Sequence, residues 1–358
     1  MTDRIVQNLY GIHALMDSLA GRPTLRAALL SVRREHFCSQ TIGRASFRGI
    51  EFEILPELTA LKDRAAAYDI CILCCHNHHE ELLLFDLRAA GIASAYFAWM
   101  WDNHHHPVEQ LRTAVLADCV FVSHWQQRDY LNHPLVFPGL HMPACARQWS
   151  GGLISAAYPA GLPAERRNGL FGGFGRYHWA ETRNEFIASL MAACPGHALK
   201  LGAVADYIAL PEAARLALWA EHKVHITVPI AQDVSTRVFD ALMTGQIPLV
   251  PWNVADLDRI VPPDLQALLP ILRYHAGSVD SAKAAWQAGL HRFDADGAAG
   301  IARRHAFARD HHDLSNRLER FAEFVRAPGH FELTGDGRRR LWSNWETAPS
   351  PLIERASD

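Results

Sequence analysis

The stretch DVSTRVFDALMTGQIPLVP, residues Asp233–Pro251, contains the elements from which a parallel sheet is built. A polar loop leads into an amphipathic helix, and a glycine ends that helix before an apolar strand begins. Arg237 lies in the first turn of the helix, where the helix dipole disfavours a cation. Asp240 follows on roughly the same face, one turn along. These charges at the start of a helix suggest either a binding site or a surface ion pair.

The same alternation of strands and helices extends along both halves of the chain. Upstream of residue 233, the apolar segments LFGGFG, ALKLG and KVHITVP alternate with the helical segments ETRNEFIASLMAAC and PEAARLALWAEH. Between residues 68 and 123, YDICILCC, IASAYFAWMW and DCVFVS alternate with EELLLFDLRAAG and PVEQLRTAVLA. This spacing indicates parallel sheets with right-handed crossovers. RAALLSV and IEFEILPE predict further strands in the first half.

The length of 358 residues and the restart of the pattern predict two domains. We expect a first Rossmann-like domain over residues 1–148 and a linker rich in Gly, Pro and Ala over 149–168. A second Rossmann-like domain follows over 169–313, and a helix with a polar tail over 314–358. Doubly wound domains bind ligands beyond the carboxyl ends of their strands. The loops that follow strands are therefore where a site is expected.

Composition excludes several classes of protein. Hydrophobic residues make up 49% and charged residues 20% of the chain, so it can bury cores and is not disordered. The net charge of -3 argues against a general nucleic-acid-binding surface. The sequence has no apolar run of the roughly 18 residues that a membrane-spanning helix needs, and its start does not read as a secretory signal. Seven cysteines, three of them within one apolar run, favour free thiols over disulfides. We expect a cytoplasmic protein, with the inner face of the membrane as a second location.

Histidines cluster in two of the loops that follow strands. HNHHEE begins at His76, and WDNHHHP contains His104, His105 and His106. Zinc sites usually place their ligands at fixed spacings such as HExxH or paired CxxC motifs, and neither occurs in this sequence. We therefore expect no bound metal or other cofactor. The clusters remain open to three interpretations, which are acid–base chemistry, metal binding, and solvated or structural imidazoles.

One loop of the second domain has the composition of a phosphate-binding turn. FGGFGR places Gly172, Gly173 and Arg176 directly after an apolar segment, where backbone N–H groups and a guanidinium can approach an anion. Arg183 follows near the start of the next helix and can add a bidentate contact. The alternative interpretation is a tight turn with surface arginines.

The second such loop is DVSTR, at the start of the helix described first. Ser235 and Thr236 are natural N-cap residues, which by itself predicts ordinary capping. The free N–H groups of this helix start can also bind a diphosphate, with Arg237 supplying charge and Asp240 accepting hydrogen bonds from ribose hydroxyls. A surface Arg237–Asp240 pair of small energy is the alternative.

These segments resemble a known superfamily. RVFDALMTGQIPLVP resembles the EALA-G-PVV segment of GT-B glycosyltransferases of the group-1 superfamily, and DVSTRVFDAL is most similar to the spore-maturation CgeB-type branch. Further segments resemble the superfamily in the expected order, namely YDICILCCHNHH, AYFAWMWDNHHH, ADCVFVSHWQQRDYL, MPACA and FGGFGRYHWAETR. The resemblance implies a GT-B fold, in which two Rossmann-like domains face across a cleft. It also implies that the helix after residue 314 packs back toward the first domain.

The resemblance implies transfer of a sugar from a nucleotide-diphosphate donor to a glycan, lipid-linked or protein acceptor. Negative charge grows on the leaving diphosphate, and arginines with helix N–H groups can stabilise it without a metal. In an inverting enzyme a side chain of the first domain takes the acceptor proton. Asp102 and His104 are the first candidates for this base, followed by His78 and His79.

The chain departs from the superfamily at two positions of the donor site. The paired-glutamate motif of the superfamily would place acids at Gln232 and Asp240, and the neighbouring Asp233 can substitute for the first. Arg183 takes the place of a lysine. The donor-binding residues implied are Gly172, Gly173, Arg176, Arg183, Asp233, Ser235, Thr236, Arg237 and Asp240. Donor, acceptor, stereochemistry and oligomeric state are left open.

Three other functions fit the same sequence features. A sugar-nucleotide epimerase of the same architecture would release free sugar and nucleotide. A non-catalytic nucleotide-sugar-binding or scaffold protein would keep the pocket without turnover, and the missing acid at Gln232 favours this alternative. A metal-binding protein would use the histidine clusters.

Overall fold

A computed structural model of the chain describes residues 14–31, 44–55, 67–75, 80–102, 104, 106–131, 133, 135–146, 148–149, 165–202 and 210–326. These residues form two compact units. The first unit takes the described residues up to Pro143 and those from Ser315 onward, and the second takes Ala144–Leu314.

The first unit is built on a seven-stranded sheet. In chain order its strands are β1 (Leu25–Ser31), β2 (Arg44–Phe47), β3 (Ile50–Leu55), β4 (Tyr68–Cys75), β5 (Ala93–Met100), β6 (Cys119–Val122) and β7 (Pro138–His141). In space the order is β2-β3-β1-β4-β5-β6-β7, and β2 alone is antiparallel to its neighbour. Helix α1 (Glu80–Ala89) connects β4 to β5, and α2 (Pro107–Leu116) connects β5 to β6. The apolar run over residues 70–75 of β4, all of them buried, fits a central parallel strand that is covered on both faces.

The second unit is built on a five-stranded parallel sheet. Its strands are β8 (Arg167–Gly175), β9 (Ala198–Gly202), β10 (His222–Ile226), β11 (Ile247–Pro251) and β12 (Leu272–Tyr274), in the spatial order β12-β11-β10-β8-β9. The helices are α3 (Glu181–Ala193), α4 (Glu212–Ala220), α5 (Thr236–Met243), α6 (Asp256–Ile260), α7 (Pro263–Leu268) and α8 (Val279–His312). Gly245 ends α5 with a positive φ of 73°, and a Cβ there would come within 2.6 Å of Ile301, so a glycine is required.

Helix α9 (Leu314–Arg326) completes the core of the first unit, although α8 of the second unit precedes it in the chain. Phe321 is fully buried, and its ring lies 5.1 Å from that of Phe97 and 5.4 Å from that of Phe121. Arg326 donates hydrogen bonds to the carbonyl oxygens of Arg48 and Gly49. The helix is therefore held by an aromatic cluster at its centre and by polar contacts at its end.

Most of the predicted elements are present. The strand segments YDICILCC, ALKLG and IPLVP coincide with β4, β9 and β11. The segment WQQRDYL forms two short 3-10 turns rather than an α-helix. Cysteines 71, 74, 75, 119, 145 and 194 are buried, and none of these six is in a disulfide. Among the residues described, no helix is both long enough and apolar enough to cross a bilayer.

Candidate functional site

Arg183 is fixed at the carboxyl ends of two neighbouring strands of the second sheet. It projects from the first turn of α3, the helix that follows β8. Its Nη1 donates to the carbonyl oxygen of Gly175, the last residue of β8, at 3.0 Å. Its Nε donates to the carbonyl oxygen of Val228, just beyond β10, at 2.8 Å. These two bonds hold the guanidinium across the sheet edge where doubly wound units bind ligands.

The loop between β10 and α5 turns sharply before the helix begins. Ala231 and Gln232 both have positive φ angles, of 46° and 66°. Asp233 stabilises this turn by accepting the N–H of Ile230 at 2.9 Å. Gln232, where the resemblance described above implies an acid, is exposed.

Ser235 is the N-cap of α5, as the sequence suggests. Its hydroxyl oxygen accepts the N–H of Arg237 at 3.4 Å, so the ordinary capping interaction is present. Thr236, the first helical residue, is buried at 8% exposure. The side chain of Arg237 is half-buried.

Arg183 and Arg237 influence each other electrostatically. Burial, and next the positive charge of Arg237, lower the pKa of the Arg183 guanidinium to about 10. The same charge acts on His225 of β10: burial lowers the pKa of this imidazole well below its ordinary value, and Arg237 adds to that shift. At the carboxyl edge of the second sheet the positive charge of Arg237 thus acts on two groups, and the carboxylate of Asp233 acts on Arg183 in the opposite direction.

Asp240 occupies a different environment from the one its spacing suggests. Its side chain has no exposed surface, and one carboxylate oxygen lies 3.3 Å from the N–H of Gln148, which it accepts. Asp240 is therefore buried and does not lie at the surface, where the alternative of an exposed ion pair with Arg237 would place it.

The glycines of FGGFGR lie within a strand, and the prediction of a turn at this segment is wrong. Gly172 and Gly173 belong to β8 and pair with Leu199 and Lys200 of β9. A Cβ at Gly172 would lie 2.7 Å from the ring of Phe174, so packing of the sheet explains this glycine. A Cβ at Gly173 would meet no atom within 4 Å. Of the two, only Gly173 leaves room for a group from outside the sheet.

Arg176 is the first residue beyond β8, and its side chain is exposed. Its backbone N–H donates to the carbonyl oxygen of Gly202 at 3.2 Å, which extends the pairing of β8 and β9 by one bond. Of the two arginines, Arg183 of α3 is fixed by carbonyl groups, whereas Arg176 in the loop after β8 reaches into solvent.

In the first unit, the loops after β5 and β6 bring three metal-ligand side chains together. Asp102 and His104 follow β5, and His124 follows the adjacent strand β6. Ligand atoms of these three residues all lie within 4.8 Å of one another. The rings of His104 and His124 meet edge to face with centroids 4.2 Å apart. The sequence places Asp102 and His104 in one loop, and the register of β5 and β6 adds His124.

His124 is the functional candidate that sequence reasoning missed. The segment SHWQQ, which contains it, follows a strand, but a single histidine there has no spacing that marks it as a ligand. His78 and His79, the other candidates for a base, lie outside the described residues.

Neither a protein-family model nor a curated protein matches the sequence. Among solved structures, sucrose-phosphate synthase from Thermosynechococcus elongatus is similar with a TM-score of 0.50 and 11% identity, covering 84% of this chain and 98% of that one. A glycosyltransferase from Rickettsia africae ESF-5 has a TM-score of 0.45 and 6% identity, covering 73% and 77%. An O-GlcNAc transferase mutant from Thermobaculum terrenum has a TM-score of 0.42 and 12% identity, covering 85% and 68%. The predicted fold class, GT-B with two Rossmann-like units, is confirmed.

Proposed function

We propose that the protein is a glycosyltransferase that takes a sugar from a nucleotide-diphosphate donor. The proposed acceptor is a glycan, a lipid-linked sugar or a protein. The observation that carries the proposal is the pair Arg183 and Arg237 at the carboxyl edge of the second sheet, where each guanidinium disfavours the charge of the other. A site of this kind gains from an anion that neutralises both charges.

The donor side of the reaction follows from how these groups are held. Two nitrogens of Arg183 are engaged by backbone carbonyl oxygens, and Nη2 is the nitrogen left to meet a phosphate oxygen. Arg237 supplies a second cation, and the start of α5 supplies N–H groups. Because these groups are in place before the bond to the sugar breaks, they stabilise the negative charge that grows on the leaving diphosphate. We propose that no divalent metal is needed at this diphosphate.

The acceptor side is assigned to the first unit. In an inverting transfer, Asp102 or His104 would accept the proton of the acceptor hydroxyl, because a carboxylate and an imidazole are the usual bases for this step. In a retaining transfer, the same side chains would orient the sugar.

The test combines binding and turnover on the full chain. Melting curves are recorded with UDP, GDP, dTDP and CMP and with their sugar derivatives. A ligand that binds only the folded state at a hundred times its Kd adds about 2.7 kcal/mol to the free energy of unfolding. The stabilising sugar nucleotides are then incubated with a panel of acceptors, and the products are identified by mass spectrometry.

The outcomes separate the candidate functions. A glycosylated acceptor supports the proposal. Free sugar with an inverted ring carbon and free nucleotide identify an epimerase. Stabilisation by a nucleotide without any product identifies a binding or scaffold protein. If none of the nucleotides stabilises the protein, the proposed donor site at Arg183 and Arg237 is overturned.

A further inference from the structure

The loops after β5 and β6 form a cluster that the proposed donor site does not use. Asp102 and His104 are half-buried, and His124 is buried at 3% exposure. The backbone of this region is anchored to the sheet, since the N–H groups of Trp101 and Asp102 donate to the carbonyl oxygen of Cys75 and that of Ser123 donates to Met100. Asp102 and His124 are therefore presented from, or directly beside, backbone that is bonded to the sheet.

The chemistry of the cluster matches one class of ligand. Two imidazoles and one carboxylate suit zinc and the neighbouring transition-metal ions, whereas magnesium and calcium prefer sites made only of oxygen ligands. Three protein ligands also leave coordination positions for water or a substrate oxygen.

We propose that Asp102, His104 and His124 bind one divalent transition-metal ion of the zinc type. Around a tetrahedral zinc ion the ligand atoms lie about 3.4 Å apart, given metal–ligand bonds of about 2.0–2.1 Å. The atoms here lie within 4.8 Å of one another, so rotation of the half-buried Asp102 and His104 side chains toward His124 closes the site. His124 sets the position of the ion because it is the buried member of the three.

The inference does not depend on the protein being a glycosyltransferase, because it concerns binding alone. It has a consequence for the proposed function nonetheless. An ion on Asp102 and His104 occupies the lone pairs with which either residue would accept a proton. Binding at this cluster would therefore inhibit transfer.

The experiment measures binding of Zn²⁺ and Co²⁺ to chelator-stripped full-length protein by titration calorimetry and by the visible d–d absorption of Co²⁺. We expect one ion per chain at this cluster. Changes beyond the direct ligands of a metal cost about 10–100-fold in affinity, so loss of a direct ligand is expected to cost at least about a hundredfold. His104→Ala, His124→Ala and Asp102→Asn should each show this loss and alter the Co²⁺ spectrum.

Matched control variants distinguish metal binding at this cluster from metal binding by other histidines of the chain. His106→Asn removes an exposed imidazole from the same loop, and asparagine tolerates the left-handed φ of 48° at that position. His133→Ala removes another exposed imidazole beyond β6. Both variants should keep the affinity and spectrum of the wild type. If His124→Ala fails to fold, His104→Ala decides, since its side chain is only half-buried. The proposal is overturned if no ion binds at micromolar concentration, or if His104→Ala binds Zn²⁺ as tightly as the wild type.

Discussion

Arg183 and Arg237 lie in the first turns of two different helices of the second unit, α3 and α5, and their charges repel each other. Burial, and then the charge of Arg237, lower the pKa of Arg183 to about 10. A guanidinium with this pKa stays protonated at neutral pH, so the repulsion from Arg237 persists in the folded protein and a bound anion would relieve it. Pairs of this kind are typical of functional sites, where strain between like charges favours the ligand.

The first prediction concerns Arg237→Ala. Loss of a charge-assisted hydrogen bond to a buried anion costs about 1.5–3 kcal/mol, so affinity for the preferred nucleotide diphosphate should fall roughly ten- to a hundredfold. The empty protein should become slightly more stable, because a repulsive cation leaves the start of α5. Nucleotide titrations and melting curves of both proteins measure the two effects. Arg167→Ala is the control, because Arg167 is an exposed arginine at the opposite end of β8. Equal nucleotide affinity of Arg237→Ala and wild type would contradict the assignment.

The second prediction compares two adjacent glycines. Gly172→Ala should lower the free energy of unfolding by about 1–3 kcal/mol, because the new methyl group would press on the buried rings and side chains around Phe174. Gly173→Ala should leave stability unchanged, since the added atom meets open space. If a donor phosphate approaches the strand at Gly173, the same variant should weaken nucleotide binding. Chemical denaturation and nucleotide titration of both variants check these expectations, and equal stability losses in the two variants would contradict the packing argument.

The third prediction concerns acid sensitivity of the second unit. Burial, followed by the charges of Arg237 and His222, holds the pKa of His225 well below its ordinary value. As the pH falls below about 6.5, the unfolded chain takes up a proton at this position and the folded chain does not. The free energy of unfolding therefore decreases as the pH is lowered, by about 1.4 kcal/mol per pH unit for one such group. Burial lowers the pKa of His197, His222 and His305 as well, so their contributions add in the same direction.

The variant His225→Phe tests this linkage. The imidazole of His225 stacks on Trp219 at 4.4 Å, and a phenyl ring keeps that stacking without a titrating group. Neither ring nitrogen of His225 has a hydrogen-bond partner among the described residues, so no hydrogen bond is lost. Denaturation curves at pH 5.5 and 7.5 should show a smaller loss of stability in the variant than in the wild type. An unchanged loss would mean that His225 does not contribute.

The fourth prediction concerns divalent metals at the donor. Transfer should persist in excess chelator, because arginines and helix N–H groups neutralise the leaving diphosphate. Added Zn²⁺ should inhibit transfer through the cluster Asp102, His104 and His124, and this inhibition should be lost in His124→Ala. Loss of transfer in chelator that is restored by a metal would show that the donor site needs an ion.

The sequence predicts the sheets well where an apolar run lies between clear turn signals. Strands β4 and β11 are of this kind, since residues 70–75 of β4 and Ile247–Pro251 are apolar runs that polar or glycine-containing segments flank. The pattern fails at Gly172, because a glycine in a strand reads as a turn. Residue 172 is a glycine because the ring of Phe174 fills the space where its side chain would lie. The neighbouring sequence does not indicate this contact.

The candidate sites were predictable only in part. Arg183 and Arg237 follow strands, and parallel strands place such residues at one edge. The burial of Asp240 was not predictable from its spacing, because α5 is covered on almost every side, with all residues from Val238 to Met243 buried. The approach of His124 to His104 depends on which strands are neighbours in the sheet, and a single sequence does not specify that order.

The place of α9 has a consequence for how the protein is made. The first unit lacks the ring of Phe321 in its aromatic core until the ribosome has passed through the whole second unit. The second unit, from Ala144 to Leu314, is synthesised in one run and can fold before the first is complete. During translation one apolar face of the first sheet therefore stays uncovered until α9 has been synthesised. We expect chaperones to bind at this stage. A fragment that ends at Pro143 would remain at that stage, whereas one with Ser315–Arg326 joined to it would not.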